Sequence, residues 1–459
     1  LRELGRLDKA IAHYCKAIQI KPDYFEAHNN LGNAHKRLGR LCEAIASYGE
    51  ALAIKPEFPE AGKNLLLAML YVPGLSPGEL FTEHLRFSEN HAIEISPLEE
   101  ELSNEPSPDR RLKVGYLSSN FQSHPVGYNI LPLLSSHDRT KFEIYCYADV
   151  RRPDAITERF QSCVDHWNTI TGKSDAEVAS MVRADEIDVL VCLAGHFDNN
   201  RPLVCAHRAA PVQVSYHDVA TSGLEEMDYF LTDNFLNPLD TKEMFTEELY
   251  RLSVFYQYPP VEEAPPVAAV PGEQTGMVTF GSFNNPTKVN EEVIRLWAEI
   301  LGSVPDSRLL LKYMNWYEQA SLRDRVVERF SACGIEQGRV TFAVARDTIK
   351  EHLGHYCDVD IALDPFPFSG ATTTFQALWM GVPVISLAGE TFTGRMAASI
   401  LHHLGLGELV ADTPEAYVAC AQDLAGDVAR LKTFRTTLRD RITSSQLCDA
   451  PTYARTLEA

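Results

Sequence analysis

The sequence predicts an α/β chain with N-terminal all-α repeats: two doubly wound lobes preceded by a solenoid of paired helices. Three observations predict it. A stretch at the start returns at an offset of 34 residues. Short apolar runs alternating with helical stretches begin at Leu112. After a proline-rich break, the same alternation resumes at Met277.

The segment LGRLDKAIAHYCKAIQIKPDYFEAHNN from Leu4 recurs as LGRLCEAIASYGEALAIKPEFPEAGKN from Leu38. The pairs Leu4/Leu38, Gly5/Gly39, Ala10/Ala44, Tyr14/Tyr48, Ala17/Ala51, Pro22/Pro56 and Ala27/Ala61 keep their chemistry. Small residues fit where two helices cross, and Pro closes a unit because it cannot continue a helix. This resembles the tetratricopeptide repeat. Such units stack into a superhelix whose concave face holds extended peptides; a spacer or an oligomerisation surface is the plainer alternative. Two visible units are few for a stable array, so Leu65–Leu70 and Leu80–Ile95 are expected to pack on them as further helices. The chain starts at Leu1 inside a repeat, and its natural N-terminus is expected upstream. Polar SNEPSPDRR (Ser103–Arg111) is expected to close this region, assigned residues 1–108.

The first lobe, residues 109–256, carries LKVGYLS, FEIYCYA (Phe142–Ala148), IDVLVCLAG (Ile187–Gly195), PVQVSYH (Pro211–His217) and YFLTD (Tyr229–Asp233). Short apolar runs of this kind suit buried parallel strands. Helical stretches such as Ala176–Asp185 separate several of them, the mark of a doubly wound fold. The linker, 257–276, rests on Tyr256–Thr275, which holds Pro259, Pro260, Pro265, Pro266 and Pro271. The second lobe, 277–425, repeats the pattern with Met277–Phe283, Arg308–Tyr313, Arg339–Val344, Val359–Leu363 and Val382–Ala388. Residues 426–459 are expected to form helices that cross back. Two such lobes with a cleft between them suit a transferase with a nucleotide in one and an acceptor in the other.

A net charge of −21 argues against nucleic acid or an anionic membrane as main partner. No apolar run reaches the roughly 18 residues that a membrane span needs, and no signal peptide is visible. Ten cysteines without a CxxC pair or zinc spacing point to reduced core residues, a cytoplasmic location and no metal. Neither GxGxxG nor GxxxxGK[ST] occurs, so dinucleotide oxidoreductases and P-loop kinases lose ground.

The chemistry is expected around DPFPFSGATTTFQALWMG, Asp364–Gly381. Ser369, Gly370 and Ala371 allow a tight turn, after which Thr372, Thr373 and Thr374 open a helix. A helix N-terminus has unpaired N–H groups and partial positive charge, which suits a diphosphate. The plainer alternative is that the threonines only cap the helix. GSFNNPTK (Gly281–Lys288) follows a strand, where open α/β sheets bind ligands. Lys288 is the candidate counter-charge for a departing diphosphate, a task for a metal or fixed donors. Asp360 and Asp364 make no acidic metal pair, because Asp360 lies inside a buried strand. In the first lobe His124, beside Pro125, is a candidate general base or sugar-holding group. His196, His217 and Asp218 follow strands and are expected at the same rim. His352 and His355, three residues apart on a helix, are expected to line the nucleotide pocket.

The combined motifs resemble glycosyltransferase family 41: the repeats, LKVGYLSSNFQSHP, RAAPVQV, FGSFNNPTK, LDPFPFSGATTT, ALWMGVPVISLAGETFTGRMAAS and LGLGELVA. That family contains O-GlcNAc transferases and SPINDLY-type protein O-fucosyltransferases. The resemblance implies a GT-B fold of two Rossmann-like lobes behind a tetratricopeptide-repeat solenoid. It also implies an inverting, metal-independent enzyme without cofactor. By position, Lys288 matches a diphosphate-contacting lysine, Thr372 and Thr373 phosphate-binding threonines, and His124 an active-site histidine. His352 matches a nucleotide-pocket histidine and Asn285 a residue near the sugar diphosphate. Gly370, Thr374, Gln376 and Arg395 lie on the same motifs and join the nucleotide-sugar set.

The chain departs from the O-GlcNAc transferase pattern at Ala371, where His is usual, at Gln376, where Asp is usual, and at Ile349, where a pocket lysine is usual. The leading expectation is transfer of N-acetylglucosamine from UDP-GlcNAc to Ser/Thr of proteins held along the repeat groove. GDP-fucose as donor and a degenerate repeat scaffold are the rivals. The repeats also offer a surface for homo-oligomers.

Overall fold

The computed structural model describes residues 7–92, 95, 102–344 and 348–459. Leu4 and Gly5 of the first repeat lie outside them. The chain divides into two compact units. A six-stranded unit comprises Leu1–Lys55, Ala68–Gly74 and Pro260–Ser445; a seven-stranded unit comprises Pro56–Leu67, Leu75–Pro259 and Gln446–Ala459.

Four helices follow the repeat: Leu7–Ile20, Phe25–Arg37, Leu41–Ile54 and Pro59–Met69. Ala27, Ala34, Ala44 and Ala51 are buried, as small residues at helix crossings must be, and the Tyr48 hydroxyl donates to Asn33 Oδ1 at 3.0 Å. Leu65–Leu70 is not a separate helix. Its apolar residues end the helix Pro59–Met69. The next helix is Pro77–His91, with Leu80 and Phe87 buried. Ser76 starts it with a capping box: its hydroxyl accepts from the Glu79 N–H, and the Glu79 carboxylate accepts from the Ser76 N–H at 2.9 Å. Residues 93 and 94 of the expected run to Ile95 lie outside the described residues.

The seven-stranded sheet holds β1 (Leu112–Ser118), β2 (Phe142–Ala148), β3 (His166–Thr169), β4 (Val189–Leu193), β5 (Val212–Tyr216), β6 (Tyr229–Asp233) and β7 (Glu248–Leu252). Its order is β3-β2-β1-β4-β5-β6-β7, every pairing parallel. Buried Leu117, Tyr147, Leu190 and Cys192 pack in its core. The edge strands β3 and β7 escape the apolar-run reading because they are half exposed and carry His166, Asn168, Glu248 and Arg251.

The six-stranded sheet holds β8 (Val278–Ser282), β9 (Ser307–Leu311), β10 (Val340–Phe342), β11 (Ile361–Leu363), β12 (Val384–Leu387) and β13 (Val410–Ala411). Its order is β10-β9-β8-β11-β12-β13, again all parallel. The chain winds one way from β8 and the other way from β11, so the switch point lies at their C-terminal ends, where such sheets take ligands. Asp360 is buried before β11 and accepts the N–H groups of Gly272 (2.9 Å) and Thr279 (2.8 Å). Its carboxylate is therefore spent on the scaffold. The short helix Pro271–Thr275 that it anchors was not expected inside the proline-rich segment.

Candidate active site

In the six-stranded unit the chain leaves β11 at buried Asp364, turns through Ser369–Ala371, and enters the helix Thr372–Trp379. Asp364 fixes the turn: one carboxylate oxygen accepts the Gly370 N–H at 2.7 Å and the other the Ser386 hydroxyl at 2.8 Å. A Cβ on Gly370 would stand 2.6 Å from Thr373 Oγ1 and 2.9 Å from Asp364 Oδ1. Only glycine fits there. Thr373 donates to Asn284 Oδ1 at 2.9 Å, and Thr374 is buried and turns back to the Gly370 carbonyl at 3.2 Å. The Thr374 hydroxyl is thus bonded back to the turn. Thr372 and Thr373 are only partly buried on the first turn, where N–H groups lack partners within the helix.

Lys288 arrives from the turn Pro286–Lys288 after β8. Its ammonium donates to the Ser369 carbonyl at 2.7 Å and lies 4.4 Å over the Phe368 ring. Burial lowers its pKa, against which Asp364 acts; burial raises that of Asp364, against the Ser386 hydrogen bond and Lys288. Lysine and carboxyl therefore share one charge balance. Tyr71 stacks on Phe368 at 4.7 Å, and Thr287 donates to the Lys36 carbonyl at 3.1 Å, so residues of the repeat helices brace the lysine turn. Asn285 caps that turn by accepting the Thr287 N–H at 3.0 Å. Arg395, on the helix Phe392–His403, donates to the Gly389 carbonyl at 3.2 Å.

His352 is brought to Gln376: its Nε2 lies 2.9 Å from Gln376 Oε1. Its Nδ1 lies 2.7 Å from the ammonium of Lys312, a buried residue directly after β9 that sequence reasoning missed. A lone lysine after an apolar run is usually a solvated strand end, and only the fold shows this one turned inward.

In the seven-stranded unit His124 caps the helix Pro125–Ser136, its Nδ1 accepting the Val126 N–H at 3.2 Å. Its Nε2 meets Asp198 at 3.2 Å. Asp198 also accepts from Asn120 Nδ2 at 3.1 Å, and Asn120 Oδ1 accepts from Asn200 at 2.6 Å. Asn200 in turn binds the Ser119 N–H at 2.7 Å through its side chain and Lys63 at 3.1 Å through its carbonyl. A chain of polar contacts thus leads from the helix Pro59–Met69 to His124. Asp198, two residues after His196, is a site residue that no sequence motif marks.

His196, His217 and Asp218 are buried, not exposed on a rim. The physical reason is the helix Pro77–His91, whose Phe87 and His84 pack edge-on against the His196 ring at 4.6 and 5.6 Å. His196 Nε2 bonds the Ser222 carbonyl at 2.8 Å. His217 lies against Tyr216 and Phe255, and its Nε2 has no partner among the described residues. Burial pushes the pKa of His196 and His217 down to about 3 and that of His84 to about 4; His84 adds to the effect on His196 and His124 to that on His217. Burial raises Asp218 to about 8.

These shifts set the acid response. The three histidines titrate near 6.5 when unfolded, so their stability is present above that pH and is lost as pH falls toward their folded values. Asp218 opposes them: its raised value stabilises below the unfolded pKa near 4, and this is lost as pH rises to about 8. Around pH 5 the unfolded unit holds more protons, and stability falls with acid by on the order of 1–3 kcal/mol per pH unit. Urea midpoints measured from pH 7 to 4 check this slope. Asp218→Asn raises the midpoint at pH 8 and leaves it nearly unchanged at pH 4.

Among the described residues no group of three or more His, Cys, Asp or Glu is placed to hold a metal ion, and no helix is long and apolar enough to cross a membrane.

Helical repeats followed by two parallel α/β lobes, the second with a tight turn and a helix start at its switch point, define a protein of the GT-B class. The sequence pattern of Glycosyl transferase family 41 matches residues 91–257 and 271–457, and this chain belongs to that family. Patterns of the TPR repeat and the Tetratricopeptide repeat match residues 1–39 and 25–58. The chain is 39% identical over 404 residues to the probable UDP-N-acetylglucosamine–peptide N-acetylglucosaminyltransferase SPINDLY of Arabidopsis thaliana, covering 86% of this chain and 44% of that one. It is 28% identical over 362 residues to the probable transferase SEC of the same plant, covering 76% and 36%. It spans less than half the length of these curated relatives. A mutant of the O-GlcNAc transferase of Thermobaculum terrenum has the same fold, with a TM-score of 0.92 at 33% identity over 99% of this chain and 87% of that one.

Proposed function

We propose that the chain is the catalytic portion of a protein O-glycosyltransferase that moves N-acetylglucosamine from UDP-GlcNAc to Ser and Thr hydroxyls with inversion. The observation that carries this reading is the convergence of Lys288, Asn284 and the Gly370–Thr373 turn at the ends of β8 and β11. When the bond from the sugar to the diphosphate breaks, negative charge grows on the leaving phosphate. An ammonium and helix-terminal amides held in place beforehand stabilise that charge without reorganising. The acceptor oxygen attacks the anomeric carbon and gives up its proton as UDP departs.

The seven-stranded unit supplies the groups for the acceptor. Both ring nitrogens of His124 are engaged, Nδ1 accepting a backbone N–H and Nε2 facing Asp198. His124, its Nε2–H directed at Asp198, orients that carboxylate, which holds the hydroxyl and takes its proton, and His217, with its unpartnered Nε2, holds sugar or acceptor. The repeat helices carry the protein substrate along their groove. Ten free thiols support a reducing, cytoplasmic setting.

Gln376, in place of a carboxylate, supports a second donor, GDP-fucose. Calorimetric titration of the same preparation with UDP and with GDP decides. Tighter UDP binding is expected. A clear preference for GDP moves the donor to GDP-fucose, and binding of neither nucleotide leaves a repeat scaffold without transferase function.

A further inference from the structure

The six-stranded unit contains a buried cation that the diphosphate cradle does not use. Lys312 is 2% exposed at the C-terminal end of β9, and no carboxylate among the described residues pairs with it. An ammonium without a counter-ion is costly to bury. Its ammonium lies 5.7 Å from the centre of the Phe283 ring and meets His352 Nδ1 at 2.7 Å, and the hydrogen-bond directions along the His352 contact follow from chemistry. An ammonium only donates, so His352 Nδ1 accepts and the ring proton sits on Nε2. That proton points at Gln376 Oε1, 2.9 Å away. The groups left over are all donors: two ammonium N–H bonds and the Gln376 amide nitrogen.

Their position says which part of a nucleotide they meet. Gln376 stands one turn inward from Thr372 and Thr373 on the helix Thr372–Trp379. From it the contacts run outward through His352 to Lys312. In the sheet, β9 is two strands from β11, about 10 Å at ordinary strand spacing. A diphosphate seated on the turn after β11 stops short of that distance, and the nucleoside attached to it does not.

We propose that Lys312, oriented by His352, reads the nucleobase, and that it selects a keto base over an amino base. Uracil O4 and guanine O6 accept from an ammonium, whereas cytosine and adenine present an N–H donor at the corresponding edge. The inference rests on the reading of the cradle as a nucleotide diphosphate site. It adds the residue that chooses among nucleotides.

The test titrates the full chain and its Lys312→Met variant with UDP, CDP, GDP, ADP and inorganic pyrophosphate. Wild type prefers the keto member of a pair, UDP over CDP or GDP over ADP, by about 10-fold or more, the worth of one charge-assisted hydrogen bond. Lys312→Met abolishes that preference and leaves pyrophosphate affinity within about 3-fold, since no phosphate contact is lost. Its thermal midpoint does not fall, because an apolar side chain replaces a buried charge. Should that variant fail to fold, Lys312→Leu, which likewise removes the donor, carries the same comparison. A variant that keeps the base preference, or loses pyrophosphate and nucleotide affinity in parallel, overturns the proposal while the diphosphate reading stands. Wild type that binds none of the nucleotides overturns both.

Discussion

Lys288→Ala lowers the rate of transfer by about 100- to 1000-fold, the usual effect of removing one fixed donor from a site of developing charge. The loss falls on the chemical step, because negative charge grows on the leaving diphosphate between the bound donor and the transition state. The fold survives. Asp364, left without its cation, stays neutral in its buried setting, and the Gly370 amide and Ser386 hydroxyl still bond to it. The measurement is kcat with UDP-GlcNAc and a peptide acceptor, together with the thermal midpoint of the variant. A large fall in kcat with a midpoint shifted by only a few degrees is expected. Unchanged turnover would remove Lys288 from the reaction.

The largest effect on stability is expected in the other unit, at Gly195. This residue follows β4 with φ +35, and a Cβ there would stand 1.5 Å from the buried carboxylate of Asp218. Asp218 cannot yield easily, because it accepts the Val219 N–H at 2.9 Å and lies in the interior. Gly195→Ala therefore costs about 3–5 kcal/mol, the range of overpacking combined with backbone strain. Urea denaturation measures it. Adding Asp218→Ala recovers part of the loss, since the clashing atoms are gone, although the Val219 N–H then lacks its acceptor. Independent, additive losses would show that the two residues do not compete for the same space.

Much of the scaffold was legible because burial on both faces leaves a plain record. β1, β2 and β6 coincide with their apolar runs to the residue, and Thr372 opens its helix where small residues gave way to threonines. The edge strands β3, β7 and β13 left no such record, being short or half solvated. At the candidate site, the turn after β11 was readable because its residues are local: Asp364, Gly370 and Thr373 lie within one turn and helix start. Lys312 and Asp198 were not. Lys312 meets His352 across 40 residues, and Asp198 meets His124 across 74. Pairings at that range are made by topology. The burial of His196 likewise depends on Phe87 from a distant helix.

The central claim is that one ammonium and one set of helix-terminal amides receive the diphosphate. A crystal structure of the chain grown with UDP and magnesium tests it directly. The account predicts the pyrophosphate oxygens within hydrogen-bonding distance of Lys288 Nζ and of the amides of Thr372 and Thr373. A nucleotide seated elsewhere, or a divalent cation bridging the phosphates with Lys288 turned away, would contradict it.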